Sequence, residues 1–234
     1  MDRVYLANFL SHELNIKVND DILDKFKKYE EYLVEYNKKF NLTAIVDEEG
    51  ILEKHFIDST MAMKFVDFTA KSLCDIGTGA GFPGIVLAIL NPSLNVTLVE
   101  SNNKKVSFLN ILKDELCLDN VKVICTRAED LKDYREHFDY VTARAVTQLN
   151  VLLELGVPLL KVNGILIAYK LADNLEELKG ASKAIDILEC ALVDNKKFNL
   201  PISNSPRSII LIKKKAKTPL KYPRPFNQIS KKSL

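Results

Sequence analysis

Apolar residues recur along this chain with two different periods. From residue 20 to 41, Ile22, Leu23, Phe26, Tyr29, Leu33, Tyr36 and Phe40 return at helical spacing. Asn19, Asp20 and Asp21 supply candidate N-caps at its start. A second helical run covers residues 52–65, and residues 2–66 as a whole read as helical. From Lys71 the pattern changes. Short apolar runs closed by turn residues alternate with helical stretches, as in a mostly parallel sheet covered on both faces. Strands are predicted at residues 73–76, 96–100, 121–125, 138–143 and 165–169, with helices at 85–90, 104–116, 149–160 and 175–190. Two further strands, near 191–199 and 208–213, lie so close in sequence that they are expected to pair antiparallel. The predicted fold is therefore α/β with seven strands. A helical extension (1–66) packs on the core (67–215), and residues 216–234 form a basic tail, expected to be extended over 219–234.

The first strand ends in Asp75-Ile76-Gly77-Thr78-Gly79-Ala80-Gly81-Phe82-Pro83-Gly84, a turn in which backbone lies close to a ligand. The glycines fit two registers. From Gly79 they give the Gly-x-Gly-x-x-Gly of dinucleotide sites; from Asp75 they give Asp-x-Gly-x-Gly-x-Gly, which suits S-adenosylmethionine. Asp75 tilts the choice, because a carboxylate there repels a pyrophosphate but tolerates an ammonium and a sulfonium. Glu100, at the end of the second strand, is placed to accept from ribose hydroxyls in either cofactor class.

Composition changes this picture in one respect. The chain of 234 residues is 47% hydrophobic and 27% charged, an ordinary globular balance, with a formal net charge of +2. Residues 195–234, however, hold 11 Lys/Arg and no acid, leaving 22 basic against 31 acidic residues elsewhere. A basic segment on an acidic body points to a polyanion partner. In it Lys213, Lys214, Lys215, Lys217, Lys221 and Arg224 interleave with Tyr222 and Phe226, which suit stacking on RNA bases. Cys74, Cys117, Cys125 and Cys190 form no C-x-x-C pair, so reduced thiols in a cytoplasmic protein are expected, with no metal. No signal peptide or membrane span is visible, and neither DNA nor a membrane is expected as a partner.

Ligands of open α/β sheets sit outside the carboxyl ends of the strands. That rule gathers residues 77–82, Glu100, Ala128-Glu129, Arg144 and Lys170 on one rim. On the helix at 52–65, His55-x-x-Asp58 is either a substrate contact or a local charge pair, and the spacing alone favours the pair.

The residues carry a resemblance. The stretch from Asp75 to Ile85, with Thr142-Ala143-Arg144-Ala145-Val146, resembles the bacterial 16S ribosomal RNA guanine-N7 methyltransferases, once called glucose-inhibited division protein B. Tyr36-Asn37, Asn41-Leu42-Thr43-Ala44-Ile45, His55-Phe56-Ile57-Asp58-Ser59, Arg207-Ser208-Ile209-Ile210 and Thr218-Pro219-Leu220-Lys221-Tyr222-Pro223-Arg224 match as well, so the likeness runs from about residue 36 to 225. It implies a Rossmann-like S-adenosylmethionine-dependent fold, S-adenosylmethionine as methyl donor, and a guanine of 16S rRNA or the small ribosomal subunit as acceptor. By position, Gly77 and Phe82 would line the cofactor loop, Ala128 and Glu129 would meet the adenine, and Arg144 would border cofactor and acceptor as the catalytic residue. Asp75, Gly79 and Glu100, read from the loop and strand ends above, complete the expected cofactor contacts. RNA contacts are expected at Asn37, His55, Arg127, Lys170, Arg207, Lys221 and Arg224, in a monomer. Two departures stand out: Ala143 replaces the family's serine, and Pro225-Phe226-Asn227-Gln228 replaces its Gly-x-Pro element. No Asn/Asp-Pro-Pro-aromatic motif for amino-group methylation and no Pro-Cys pair for attack on a pyrimidine is present, which agrees with N7 chemistry. A nicotinamide-dependent oxidoreductase and an RNA-binding assembly factor with a vestigial pocket are the alternatives.

Overall fold

Two capped helices lead the chain in a computed structural model that describes residues 1–234. The Asp2 side chain accepts from the Tyr5 amide to cap α1 (Arg3–Leu14), and Asn19 accepts from the Ile22 amide to cap α2 (Asp20–Phe40). Both helices end on an asparagine in the left-handed region, Asn15 and Asn41. The next helical stretch is irregular: short turns α3 (Glu48–Gly50) and α4 (Asp58–Thr60) flank a π-helical segment, Ile51–Ile57, and a 3-10 turn, Met61–Lys64, closes it. π-helical segments are uncommon and concentrate at functional sites.

The alternation that follows is β1 (Ser72–Ile76), α5 (Gly84–Leu90), β2 (Asn95–Glu100), α6 (Asn103–Glu115), β3 (Val121–Cys125), β4 (Phe138–Arg144), α7 (Leu149–Gly156), β5 (Leu160–Leu171), α8 (Leu175–Ile187), β6 (Cys190–Asn199) and β7 (Pro206–Lys214). The strands form one seven-stranded sheet in the order β3-β2-β1-β4-β5-β7-β6. The first five are parallel, and β7 is antiparallel to both β5 and β6. The expected fold class is borne out. Several boundaries differ: the helix predicted to 160 ends at Gly156 and a 3-10 turn, β5 begins at Leu160, and the helix predicted to 190 ends at Ile187, with Cys190 already in β6. Pro158 has no amide hydrogen to extend the helix.

One hydrophobic cluster on one face of the sheet takes Leu6, Leu10, Phe26, Tyr29 and Leu33 of the first helices together with α5 and α6. The opposite cluster holds α7, α8 and two tail residues, Tyr222 and Ile229. The tail is thus not extended. It ends in a short helix, α9 (Phe226–Lys231), whose Ile229 is buried in this second cluster. Strand order reverses between β1 and β4, and that switch point is where a ligand crevice opens.

Candidate active site and cofactor cavity

The loop after β1 is built around a buried acid. Asp75 is fully buried; one carboxylate oxygen accepts from Thr142 Oγ1 at 2.9 Å, the other from Thr78 Oγ1 at 2.6 Å and the Gly84 amide at 2.9 Å. Burial pushes its pKa up to about 6, against the pull of those three hydrogen bonds. Asp75 therefore does not face a cofactor, as the sequence suggested. It ties β1, β4 and the start of α5 into one turn. Gly81, at φ +102°, lies where a Cβ would stand 2.6 Å from Ile85 and 2.8 Å from the Tyr29 hydroxyl. Gly79, at φ +62°, has only one backbone oxygen, 4.0 Å away, near its missing Cβ. That side is open to a cavity.

The cavity measures about 670 Å³, within the range of small-molecule sites. Gly77, Gly79, Phe82, His55, Arg144, Lys170 and Arg207 of the expected residues line it. Its floor is a stack. Tyr29 of α2 lies parallel to Phe82 at 5.0 Å, and His55 of the π-helical segment lies on Phe82 at 4.4 Å and 10°. The Arg144 guanidinium stands 5.1 Å from the Phe82 ring centre. Arg144 Nη1 donates to Asp58 Oδ2 at 3.0 Å and to the Lys54 carbonyl at 3.1 Å, and Nη2 lies 3.3 Å from His55 Nδ1. Since Nη2 donates, His55 Nδ1 accepts, and the proton is on Nε2, which donates to Thr43 Oγ1 at 2.8 Å. Burial, helped by the Arg144 charge, lowers the His55 pKa to about 3, so the ring is neutral. His55 and Asp58 are thus not a pair with each other; both serve Arg144, whose residue is followed by Ala145 in the left-handed region at φ +56°.

Glu100 sits beside the loop, not on the cavity wall: it accepts from the Gly79 amide at 3.1 Å and the Asn102 amide at 2.8 Å. Each of its oxygens keeps a further lone pair for a ribose hydroxyl. Ala128 and Glu129 line a separate, smaller cavity of about 210 Å³, walled partly by Tyr222 and Pro223 of the tail.

Several expected RNA contacts are committed elsewhere. Asn37 spends its amide on the backbone of Thr43, donating to its carbonyl and accepting from its amide, both at 2.9 Å, so it braces the cavity wall. Lys170 lies on the wall but is held by Glu177 at 2.5 Å and the Thr147 carbonyl. Arg224 donates to both carboxylate oxygens of the fully buried Glu154. Lys214 is buried among Glu136 and two carbonyls, and Tyr222 is buried too. The tail has no acid of its own, and its partners come from α7 and the loop before β4. Arg127 and Lys221 are exposed, beside Phe226 and Tyr222 respectively, and neither lines the large cavity. Sequence reasoning missed Tyr29, Thr43, Lys54 and Lys105 of this region. Of these only Thr43 carried a signal, within Asn41-Leu42-Thr43-Ala44-Ile45.

The profile of the family described as GidB, rRNA small subunit methyltransferase G, matches residues 22–205. The chain belongs to that family. Ribosomal RNA small subunit methyltransferase G of Exiguobacterium sibiricum is 46% identical over 216 residues, covering 91% of each chain. That of Fusobacterium nucleatum is 43% identical over 223 residues, covering 95% of this chain and 96% of the other. Among solved structures, M. jannaschii TYW2 in complex with AdoMet aligns with a TM-score of 0.56 at 17% identity, covering 72% of this chain and 76% of that one. Precorrin-6y C5,15-methyltransferase of Geobacter metallireducens aligns with a TM-score of 0.52 at 16% identity, over 77% and 96%. These two share the fold. The family resemblance read from the motifs is borne out, and the chain is an S-adenosylmethionine-dependent rRNA methyltransferase. The nicotinamide register of the glycines falls with it. No helix is long and apolar enough to cross a membrane.

Proposed function

We propose that the chain methylates N7 of a guanine in 16S rRNA by direct transfer from S-adenosylmethionine. The observation that carries this is Arg144, fixed over Phe82 between the glycine loop and the N-terminal wall by Asp58, His55 and a backbone carbonyl. The residues present fit the donor. Gly79 leaves room where a side chain would intrude, Gly77 and Phe82 line the cavity, and Glu100 offers acceptors beside the loop. When bound, the donor supplies an electrophilic methyl group on a positively charged sulfur.

The immediate surroundings of Arg144, over Phe82, are close to neutral. Asp58 offsets Arg144, and His55 carries no proton in excess. A bare guanidinium or an imidazolium there would repel a sulfonium, and equally the cationic purine that N7 methylation makes. Guanine N7 has an in-plane lone pair and no proton, so the site needs alignment more than a base. In this reading Arg144 donates its remaining hydrogens to guanine O6, and the Tyr29–Phe82–His55 stack keeps that side dry. The enzyme acts as a monomer in the cytoplasm.

The test is transfer from tritiated S-adenosylmethionine to small ribosomal subunits from cells lacking this protein, followed by nucleoside analysis. Label in 7-methylguanosine is expected. Label in another nucleoside, or none with cofactor binding intact, would overturn the proposal.

A further inference from the structure

The charged groups around the large cavity divide by whether anything nearby compensates them. Arg144 stands against Asp58 at 3.0 Å, and Lys170 against Glu177 at 2.5 Å. Three cations on the same wall are left. The ammonium groups of Lys54 and Lys105 make no ion pair or hydrogen bond, and both residues line the cavity. Arg207 keeps only a 4.0 Å approach to Asp58, a carboxylate already spent on Arg144, and a hydrogen bond to the Pro206 carbonyl. Asp173 is the one acid of the wall without a partner, so the excess remains positive.

The three cations come from three different elements. Lys54 belongs to the π-helical segment, Lys105 to the first turn of α6 and Arg207 to β7. The position of Lys105 is locally unfavourable. The first turn of α6 contains Lys104 and Lys105 and no acid, placing positive charge at the positive end of the helix dipole. A placement that breaks a local rule without a local compensation is expected where a ligand supplies the compensation. Lys54 has a direct link to the reacting centre, since its carbonyl accepts from Arg144 while its side chain is exposed. Leu171, 65% exposed, and Arg207 stand on the same wall, offering apolar surface beside charge as an unstacked base requires.

We infer that Lys54, Lys105 and Arg207 form a phosphate clamp, which holds the RNA backbone on either side of an acceptor nucleotide presented in single-stranded form. This rests on the rRNA methyltransferase reading above; it keeps Arg207 of the RNA contacts expected from the sequence, adds Lys54 and Lys105, and moves the main electrostatic grip from the basic tail to the cavity mouth.

The experiment measures the affinity of the full chain for its RNA substrate against salt, without cofactor, and affinity for S-adenosylmethionine separately by calorimetry. A Lys54→Gln/Lys105→Gln/Arg207→Gln variant should lose about 2 from the slope of log affinity against log salt, at about 0.7 per single-strand phosphate contact. A Lys54→Gln/Lys105→Gln variant, which disturbs no packed group, should lose about 1.4 on the same basis. Lys183→Gln, an exposed lysine of α8 away from the cavity, should leave the slope unchanged. Cofactor affinity should stay within about twofold in both lysine variants, a factor worth under half a kcal/mol. Unaltered slopes in both variants overturn the clamp, as does a loss of cofactor affinity with RNA binding preserved, which would give Lys105 to the cofactor. Absence of methyl transfer by the unmodified chain is a separate result and would overturn the activity, not the clamp.

Discussion

At the scale of single residues, the site depends on one guanidinium and on a histidine that stays neutral. Arg144→Ala removes the donor that faces O6 and leaves Asp58 buried with only a distant cation. The single-turnover methylation rate should fall by about 10² or more, the scale of losing one fixed donor to developing charge, while cofactor affinity changes little. A full rate with normal cofactor binding would remove Arg144 from the chemistry. His55 makes a pH prediction whose sign follows from its folded pKa of about 3 against about 6.5 unfolded. Below about pH 6.5 the unfolded chain takes up a proton that the folded chain refuses until about pH 3, so stability falls as pH falls through that window. Asp75 works in the opposite direction. Its folded value of about 6 lies above the unfolded one, so its cost is present at neutral pH and is relieved as pH drops toward about 4. Comparing wild type with His55→Gln isolates the first effect. Denaturant unfolding should show wild type losing about 2 kcal/mol more than the variant between about pH 7 and pH 5. Equal losses would mean that His55 is protonated in the fold.

At the scale of elements, α2 is coupled to the cofactor loop through one phenol. Tyr29 donates to the Ala80 carbonyl at 2.6 Å inside the core and stacks on Phe82. Tyr29→Phe keeps the stack but leaves a buried carbonyl unpaired, so it should cost about 1–3 kcal/mol by denaturant unfolding. It should also weaken S-adenosylmethionine binding several-fold, measured by calorimetry. A loss of stability with unchanged cofactor affinity would separate the helix from the loop. This coupling also shows what the sequence could convey. The alternation of apolar runs located the five parallel strands, because buried parallel strands are nearly continuous apolar segments with glycine or polar stops. The last two were found as neighbouring runs close enough in sequence to pair antiparallel. The glycine loop was legible because its backbone conformation requires glycine at several positions. Which way Asp75 points was not: its three donors, Thr78, Gly84 and Thr142, come from two segments far apart in sequence. Nor could periodicity reveal that Asn37 folds back on Thr43, or that Lys170 is met by Glu177 across the start of α8. Charge partners are tertiary facts, and a row of basic residues reads as free until the fold brings acids to it.

At the scale of the whole molecule, the C-terminal segment is a strap on the sheet's second face. Arg135 donates to the carbonyls of Thr218, Pro219 and Tyr222, and Tyr222 and Ile229 join the cluster under α7. The decisive contact is Glu154. Its side chain is fully buried in α7, and Arg224 meets it with Nε at 2.7 Å, Nη2 at 2.5 Å and its own amide at 3.0 Å. An isolated carboxylate there would be costly, so the acid on α7 and the arginine of the tail require each other. Removing one partner of such a pair is far worse than removing both. Arg224→Ala should therefore destabilise the chain by about 3 kcal/mol, whereas a Glu154→Gln/Arg224→Ala double variant should recover much of that loss. Thermal or denaturant unfolding of the four members of this cycle measures the coupling. The same cycle distinguishes strap from RNA grip. If Arg224 mainly holds α7, the double variant regains stability and keeps its RNA affinity. If it mainly holds phosphate, RNA affinity falls equally in Arg224→Ala and in the double variant, whatever the stability. The buried bidentate geometry favours the first outcome.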